Sequence, residues 1–279
     1  MPYVGVDCVI LEGGDTSFDR VESGEIGFDQ SVEHLTGVAG QDSAVYSMIE
    51  PKGSVDTWLQ STLLLACVTK SAVNGLPTEI AQIDGGILGV DMKVQSSCYI
   101  NSCKLGCEIG GAVKASYDWV ALAITTSAIT TAAEAKANNL LLLWHGASVL
   151  VDGVTFGCQT WESTLENGLK LKTSQDAAAA GIQRMPESVV PGHQKVSLTA
   201  EFQTPVTVDL TADVPTTLTF AFVAVSTEDS PKTFSHTVGA LHPISQPTKL
   251  VAGENDVTWS IECECDYDDL TSAWSYTLA

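Results

Sequence analysis

The strongest constraint in the sequence is a period-two alternation of apolar and polar residues on both sides of a glycine pair. Residues 99–121 read YINSCKLGCEIGGAVKASYDWVA. Successive side chains of a β-strand point to opposite faces, so this pattern predicts two half-buried strands joined by a tight turn at Gly110-Gly111. The alternating apolar positions are Cys103, Leu105, Cys107 and Ile109 in the first strand and Val113, Ala115, Tyr117 and Trp119 in the second.

The length of the turn decides which residues pair. A two-residue loop would place Cys107 opposite Lys114 and would mix apolar with polar residues on both faces. A three-residue loop through Ala112 keeps one face apolar and pairs Leu105 with Tyr117. On the other face it places Glu108 opposite Lys114 and Lys104 opposite Asp118, and these charge pairs favour the three-residue loop. We therefore expect Cys103, Leu105, Cys107, Tyr117 and Trp119 to face a core.

The cysteines have a structural and a metal-binding interpretation. A zinc site needs four converging ligands, but Cys98, Cys103 and Cys107 contain no CxxC pair and have no histidine nearby. Eight cysteines in 279 residues are also too sparse for a disulfide scaffold. The pattern favours reduced thiols that act as small apolar core residues, and we expect no metal and no cofactor.

The composition is strongly acidic, with 34 Asp and Glu against 13 Lys and Arg and a formal net charge of −21. Such a surface repels phosphate backbones and argues against gripping or reading nucleic acid. Repulsion suits a channel through which DNA must slide; adaptation to high salt and simple solubility are the alternatives. The N-terminal residues lack the features of a secretory signal, and no apolar run reaches the length of a membrane-spanning helix.

One segment before the hairpin has helical spacing. Ser54 is a candidate N-cap, and apolar residues then recur three and four positions apart. We predict a helix at about residues 55–69 that packs on the apolar face of the hairpin. Its core-facing residues would include Trp58, Leu59 and Leu63.

The remaining sequence predicts short strands separated by turns, with turn signals at Asp152-Gly153 and Asn167-Gly168. We expect a long connection at residues 121–139 and a proline-containing loop at about 227–249. The predicted fold class is mainly β: an antiparallel sandwich or barrel with one packed α-helix. Residues 1–50 would form an N-terminal arm with strands, 51–225 the main sandwich, and 226–279 a loop and closing strands of the same unit.

A search for catalytic chemistry finds no supporting motif. The five histidines are scattered through segments that resemble loops, and no HExxH, GxSxG, GxGxxG or phosphate-binding loop is present. The acidic DYDD run lacks the glycine and the closing glutamate of a calcium loop. Trp144, Trp161, Trp259 and Trp274 form either a carbohydrate platform or core positions, and core positions are favoured. We expect no enzymatic activity and assign no catalytic residue.

The order of elements from about residue 45 to 205 resembles the tail tube proteins of long-tailed, non-contractile viruses of bacteria or archaea. In that family a helix precedes a strand pair, followed by a V-x-V-D-G strand-turn, a strand ending near an Asn, and a returning strand. The matching positions are Val149, Val151, Asp152 and Gly153 for the strand-turn, Asn167 for the rim, and Gly192, Val196 and Phe202 for the returning strand. The N-terminal arm and the portion after about residue 205 depart from the family pattern.

This resemblance implies a virion protein that is made in the host cytoplasm and forms stacked homohexameric rings around a lumen. The lumen would conduct genomic DNA without binding it specifically. The implied partners are other copies of the chain, a tape measure protein inside the tube, and tail terminator and distal tail proteins at its ends, with no membrane. We expect the polar faces of residues 102–118 and 160–172 to line the lumen, with candidates Lys104, Glu108, Lys114, Asp118, Glu162 and Glu166.

Three other functions stay open at the level of sequence. A capsid decoration or tail-tip protein would share the β architecture, and a carbohydrate-binding sandwich would need exposed tryptophans. An acidic hydrolase would need a cleft with perturbed carboxylates, which the sequence does not identify.

Overall fold

The computed structural model describes most of the chain, in segments separated by short gaps. The described residues are 8–12, 16–17, 20–30, 32–36, 42–46, 48–60, 64–71, 73–87, 91–127, 142–172, 185–204, 218–226, 232–245, 248–250, 257–266 and 274–279. Within these ranges, no helix is both long and apolar enough to cross a membrane.

Almost all of the regular structure is antiparallel β-strand, so the predicted mainly β fold class is confirmed. The strands are β1 (Cys8–Glu12), β2 (Thr16–Ser17), β3 (Arg20–Asp29), β4 (Val32–Thr36), β5 (Asp42–Tyr46), β6 (Glu50–Trp58), β7 (Ile80–Ile87), β8 (Asp91–Glu108), β9 (Lys114–Ser127), β10 (Leu142–Val151), β11 (Val154–Phe156), β12 (Cys158–Glu166), β13 (Lys170–Lys172), β14 (Ser188–Val190), β15 (Lys195–Phe202), β16 (Leu218–Ser226), β17 (Thr233–Ser245), β18 (Thr248–Leu250), β19 (Val257–Asp266) and β20 (Trp274–Leu278).

The predicted helix at residues 55–69 is wrong. Its first residues belong to β6, which pairs with β9 so that Val55 lies opposite Tyr117. The only helical piece described in this segment is a single 3-10 turn at Leu65–Cys67. Val55 and Thr57 are buried while Asp56 between them is exposed, so the alternation of a paired strand overrides the helical spacing.

The first layer is a twisted sheet with the strand order β3-β6-β9-β8-β12-β15-β19. The hairpin of β8 and β9 occupies its centre, but its connection is longer than predicted and spans residues 109–113. The turn is also centred one residue earlier than predicted, on Gly110 instead of Gly111. Leu105 therefore lies opposite Ala115, and Cys103 opposite Tyr117, two positions away from the predicted register. A shift of two residues leaves every side chain on its expected face, so the predicted apolar and polar faces are retained.

The second layer has the strand order β20-β17-β16-β10-β11 and covers the apolar face of the first. Along β12, Trp161 stacks on Phe222 of β16 with ring centroids 4.1 Å apart, and the Ser163 hydroxyl is hydrogen-bonded to His236 of β17. Further along, Tyr276 of β20 lies near Cys103, whose strand partner is Leu165. The strands of the second layer therefore cross β12 one after another, as in an orthogonal sandwich.

Strand β17 joins the two layers. Its first part pairs with β16 and β20, and its last residues pair with β19 in the first layer. Ala240 has a positive φ of 53°, and the register with β16 shifts in the same part of the strand. Strands from all three predicted segments of the chain thus belong to one hydrogen-bonded sheet system.

Two predicted loops are strands instead. Residues 121–127 continue β9, and residues 233–245 and 248–250 form β17 and β18, so the predicted connection and proline-containing loop are wrong there. The rest of the connection, residues 128–141, lies outside the described residues. The turn predicted at Asp152-Gly153 is confirmed, because both residues have positive φ and Val151 pairs with Val154 across it.

His236 lies at the centre of the core between the two layers. Its ring is fully buried next to Trp161, Phe222 and Trp274. Its Nε2 lies 2.9 Å from the Ser163 hydroxyl, and its Nδ1 lies 3.0 Å from the Ser275 carbonyl oxygen. Because a carbonyl can only accept, Nδ1 carries the proton in the neutral ring and Nε2 accepts from Ser163.

We predict that this histidine makes the fold acid-sensitive. Burial lowers its pKa from 6.5 to about 4, so the unfolded chain takes up the proton first as pH falls. The contribution of this histidine to the free energy of unfolding is largest above pH 6.5 and decreases as the pH falls. Below about pH 4 it levels off, and the total loss is about 3 kcal/mol. Urea denaturation at a series of pH values should show this loss in the wild type and a flatter profile for His236→Gln; equal profiles between pH 6.5 and 4 would contradict the assignment.

A second prediction concerns the contact between Gly53 and Trp119. The indole Nε1 donates to the buried Gln95 Oε1 at 2.6 Å, and Gln95 Nε2 donates to the carbonyl oxygens of Gly27 and Lys52. A methyl group on Gly53 would lie 2.2 Å from an indole carbon, whereas one on Gly27 would meet nothing within 4 Å. Gly53→Ala should lower the free energy of unfolding by about 2 kcal/mol, and Gly27→Ala by under about 0.5 kcal/mol, in denaturant titrations. Equal effects of the two substitutions would contradict the packing described.

Candidate functional site on the polar sheet face

The first layer presents a continuous polar face on the side opposite the core. The registers place Ser102, Lys104 and Glu108 of β8 beside even-numbered residues of β9 and β12. The same face continues through odd-numbered residues of β15 and even-numbered residues of β19. Charged residues on this face include Lys52, Asp56, Lys104, Glu108, Lys114, Asp118, Glu162, Glu166, Lys195, Glu201, Glu262 and Glu264.

All six lumen candidates predicted from the sequence lie on this face and are exposed. Sequence reasoning missed the contributions of β6, β15 and β19. The available signal was the alternation in KVSLTAEF and WSIECECD, where Lys195, Glu201, Glu262 and Glu264 fall at every second position. The sequence predicts strands at β15 and β19 but a helix at β6, and no rule of spacing predicts that β15 pairs with β12 or that β19 pairs with β15.

The polar face is concave. A groove of about 890 Å³ runs across β3, β6, β9, β8, β12 and β15. Its charged lining residues are Glu22, Asp56, Lys104, Glu108, Lys114, Glu162 and Glu201. A sheet that curves around its polar side can surround a water-filled space when it is continued by further strands.

The lysines of the face have different partners from those predicted. Lys104 Nζ lies 2.7 Å from Glu162, and Lys114 Nζ lies 2.7 Å from Glu22. The predicted pairs of Glu108 with Lys114 and of Lys104 with Asp118 are therefore wrong, because the register shift moves these residues apart along the strands. Asp118 instead accepts a 2.6 Å hydrogen bond from the Ser102 hydroxyl.

The face keeps a net negative charge after these pairs are formed. Lys195 is also paired, with Glu264 at 2.5 Å, and Lys52 is paired with Asp29, so each of these four lysines is matched by one carboxylate. Hydrogen bonds from Ser116 and Ser23 lower the pKa of the Asp56 carboxyl and hold it ionised. The remaining carboxylates of the face, among them Glu108, Glu166 and Glu262, have no salt bridge in the described part of the chain.

The predicted core residues of the hairpin lie on the opposite face. Cys103, Leu105, Cys107, Tyr117 and Trp119 are buried, as predicted, and so is Leu59. Two apolar positions differ from expectation, because Ile109 is 62% exposed in the turn and Trp58 is half-buried on the polar side of β6. Leu63 lies outside the described residues.

The thiols are unsuited to metal binding or nucleophilic catalysis. All seven described cysteine side chains are free, and burial raises the pKa of Cys98, Cys107 and Cys158 to about 12. A thiol that stays protonated at neutral pH is a poor ligand and a poor nucleophile. Among the described residues, no three metal-ligating side chains form a group that could hold an ion.

The histidines and tryptophans do not form a binding or catalytic surface where they are described. Four histidines lie in strands, so their predicted loop placement is wrong: His34, His145, His236 and His242. Ser163 and His236 are hydrogen-bonded and are residue types that can serve as a nucleophile and its general base. Both side chains are fully buried and out of reach of a substrate. Trp161 and Trp274 are core residues, while Trp259 is half-buried and the Trp144 side chain lies outside the described set.

A buried polar cluster closes one end of the sheet. Asn167 Nδ2 donates to the carbonyl oxygens of Val68 and Ile100, and its Oδ1 accepts from Gln194 at 2.7 Å. The neighbouring chain segments touch so closely that a Cβ on Gly192 would lie 1.7 Å from the Gly168 carbonyl oxygen. Asn167 and Gly192 thus fix the path of the chain between β12 and β15.

The comparison with known proteins gives no family assignment. No protein-family model matches the chain, and no curated protein matches it.

Proposed function

We propose that this protein is the subunit of a viral tail tube, in which homohexameric rings stack around a lumen that conducts genomic DNA during ejection. The observation that carries the proposal is the concave, net negative sheet face opposite the core. Carboxylates along that face repel phosphates, so a duplex in the lumen would meet little specific attraction.

The edges of the first layer support a ring. Strand β3 is ten residues long and, among the described residues, pairs only with β6. At the other edge lie β18 and the last residues of β17, which include Pro243, a residue suited to an edge because it has no N–H to donate. Long open edges favour pairing with another chain, and joining the two edges between copies would continue the curved sheet around a closed channel.

Exposed apolar side chains lie at both edges. Phe28 of β3 is 52% exposed, and Ile244 of β17 is 58% exposed. Large apolar groups at the two opposite edges of one sheet fit an interface in which each copy presents a different surface to each neighbour. Such a heterologous interface closes into a ring when its rotation allows.

The positions that resemble the tail tube family have structural roles consistent with the proposal. Val149 and Val151 are buried in β10, and Asp152-Gly153 forms the tight turn to β11. Asn167 is fully buried at the end of β12, and Val196 and Phe202 are fully buried in β15. These placements support the resemblance through turn and strand geometry, whereas the helix that precedes the strand pair in that family is replaced here by β6 and a single 3-10 turn.

The same proposal implies where the protein is located and which other proteins it contacts. It would be a component of the virion tail, with a tape measure protein inside the tube and terminator and distal tail proteins at its ends. No enzymatic role is proposed: the Ser163–His236 pair is buried, and no three metal-ligating side chains of the described residues form a group that could hold an ion.

The proposal is tested by the assembly state of the purified full chain. Mass photometry and negative-stain microscopy should show particles of six copies with a central hole. We expect Phe28→Glu and Ile244→Glu each to reduce the ring fraction, because each places a charge at an edge that must be buried. Val73→Glu is the matched control: Val73 is 95% exposed in the turn after the 3-10 segment and belongs to neither edge strand, so rings should persist.

Two outcomes would contradict a ring that is closed through the two sheet edges. The first is a chain that stays monomeric at every protein and salt concentration. The second is a ring whose formation is unaffected by both edge substitutions. Folding should be checked by circular dichroism in each variant.

A further inference from the structure

The sandwich has two unlike ends. One end, here called the turn end, contains residues 109–113 and the last polar row of the sheet, in which Glu108, Thr160 and Glu201 lie side by side on β8, β12 and β15. The other end, here called the ribbon end, contains the two-stranded ribbon of β13 and β14. Strand β12 separates them by nine residues, roughly 26 Å.

The ribbon end carries two exposed lysines on one face. Lys170 and Lys172 flank the half-buried Leu171, so both ammonium groups point to the same side of the ribbon. Their strand partners Val190 and Ser188 are exposed as well. Neither lysine has a salt bridge within the described part of the chain, although the chain has 34 acidic residues.

The turn end carries the opposite charge. Glu108 and Glu201 form no salt bridge in the described residues, in contrast to Lys104 and Lys114 of the same face, which are both paired. Next to Glu108, the side chain of Ile109 is 62% exposed. The turn end therefore offers two carboxylates and one large apolar group, and the ribbon end offers two ammonium groups and the partly exposed Val190.

We propose that the ribbon end of one copy docks on the turn end of another copy, with Lys170 and Lys172 opposite Glu108 and Glu201. The two surfaces differ, so the contact is head-to-tail and can repeat without limit along one direction. This inference rests on the proposed function, because in a tube the same contact would join each ring to the next. Complementary charge would also fix the polarity of stacking, since two ribbon ends or two turn ends repel.

Nucleic acid is the other class of partner that exposed lysines attract. It is disfavoured because these are two cations on a chain with a net charge of −21, and phosphate binding gains strength from many cations on one surface. Docking on an acidic protein surface, in contrast, requires only that the few charges facing each other in the contact be opposite in sign.

The test compares tube length between the wild type and the double variant Lys170→Glu, Lys172→Glu. We expect the variant to form rings but few tubes, with mean tube length reduced by about tenfold or more in electron micrographs. Lys232→Glu is the control for net charge, because Lys232 is exposed on the second layer, between β16 and β17; it should leave tube length unchanged. Adding Glu108→Lys to the double variant should restore part of the length.

The remaining outcomes overturn the docking. Tubes of wild-type length in the double variant would do so while leaving the ring proposal intact. Binding of a fluorescent 30-base-pair duplex that is lost in the double variant, with tubes unchanged, would assign the lysines to nucleic acid. If the wild type forms no rings, the proposed function fails, and sedimentation still tests the docking: equal self-association of wild type and double variant would overturn it.

Discussion

The structure depends on the burial of one face of a single antiparallel sheet. Along residues 103–107 of β8, 115–121 of β9, 161–165 of β12 and 196–202 of β15, every second side chain enters a core of aromatic and aliphatic groups and cysteine thiols. The strands of the second layer cross over that face. Burial of this apolar area is the main stabilising contribution, at roughly 25 cal/mol for each Å² removed from water. Where this alternation holds, burying one face leaves the other face polar. The charged groove is thus a direct consequence of how the core is built.

That coupling explains which parts of the site could be predicted from the sequence. The alternation of apolar and polar residues alone predicted on which face of the sheet Cys103, Leu105, Tyr117 and Asp118 lie. This prediction is correct although the predicted register is wrong, because a shift of two residues keeps each side chain on the same face. The charge pairs depended on which residue lies at the centre of the turn, and the glycine pair did not determine that. Ile109 and Val113 joined the connection instead of the strands, since Ile109 N donates to Gln159 O and Val113 N donates to Leu142 O.

The helix prediction failed for a related reason. Val55, Trp58 and Leu59 fit a helical face, but pairing with β9 places Trp58 on the polar side and leaves Val55 and Leu59 buried. Gly53 beneath the Trp119 ring and the buried Gln95 tie β6 to the hairpin, and neither contact has a local signal in the sequence. The same limit applies to β15 and β19, whose polar residues join the polar face through long-range pairing.

The central claim is that the concave polar face lines a channel in the assembled particle. A cryo-electron microscopy reconstruction of the assembled protein tests it most directly. The account predicts that Asp118 and Glu162 project into a continuous central lumen, while Tyr117 and Trp161 stay inside the subunit. Density that places the polar face on the outer surface of the particle, or buries it between subunits with no channel, would contradict the account.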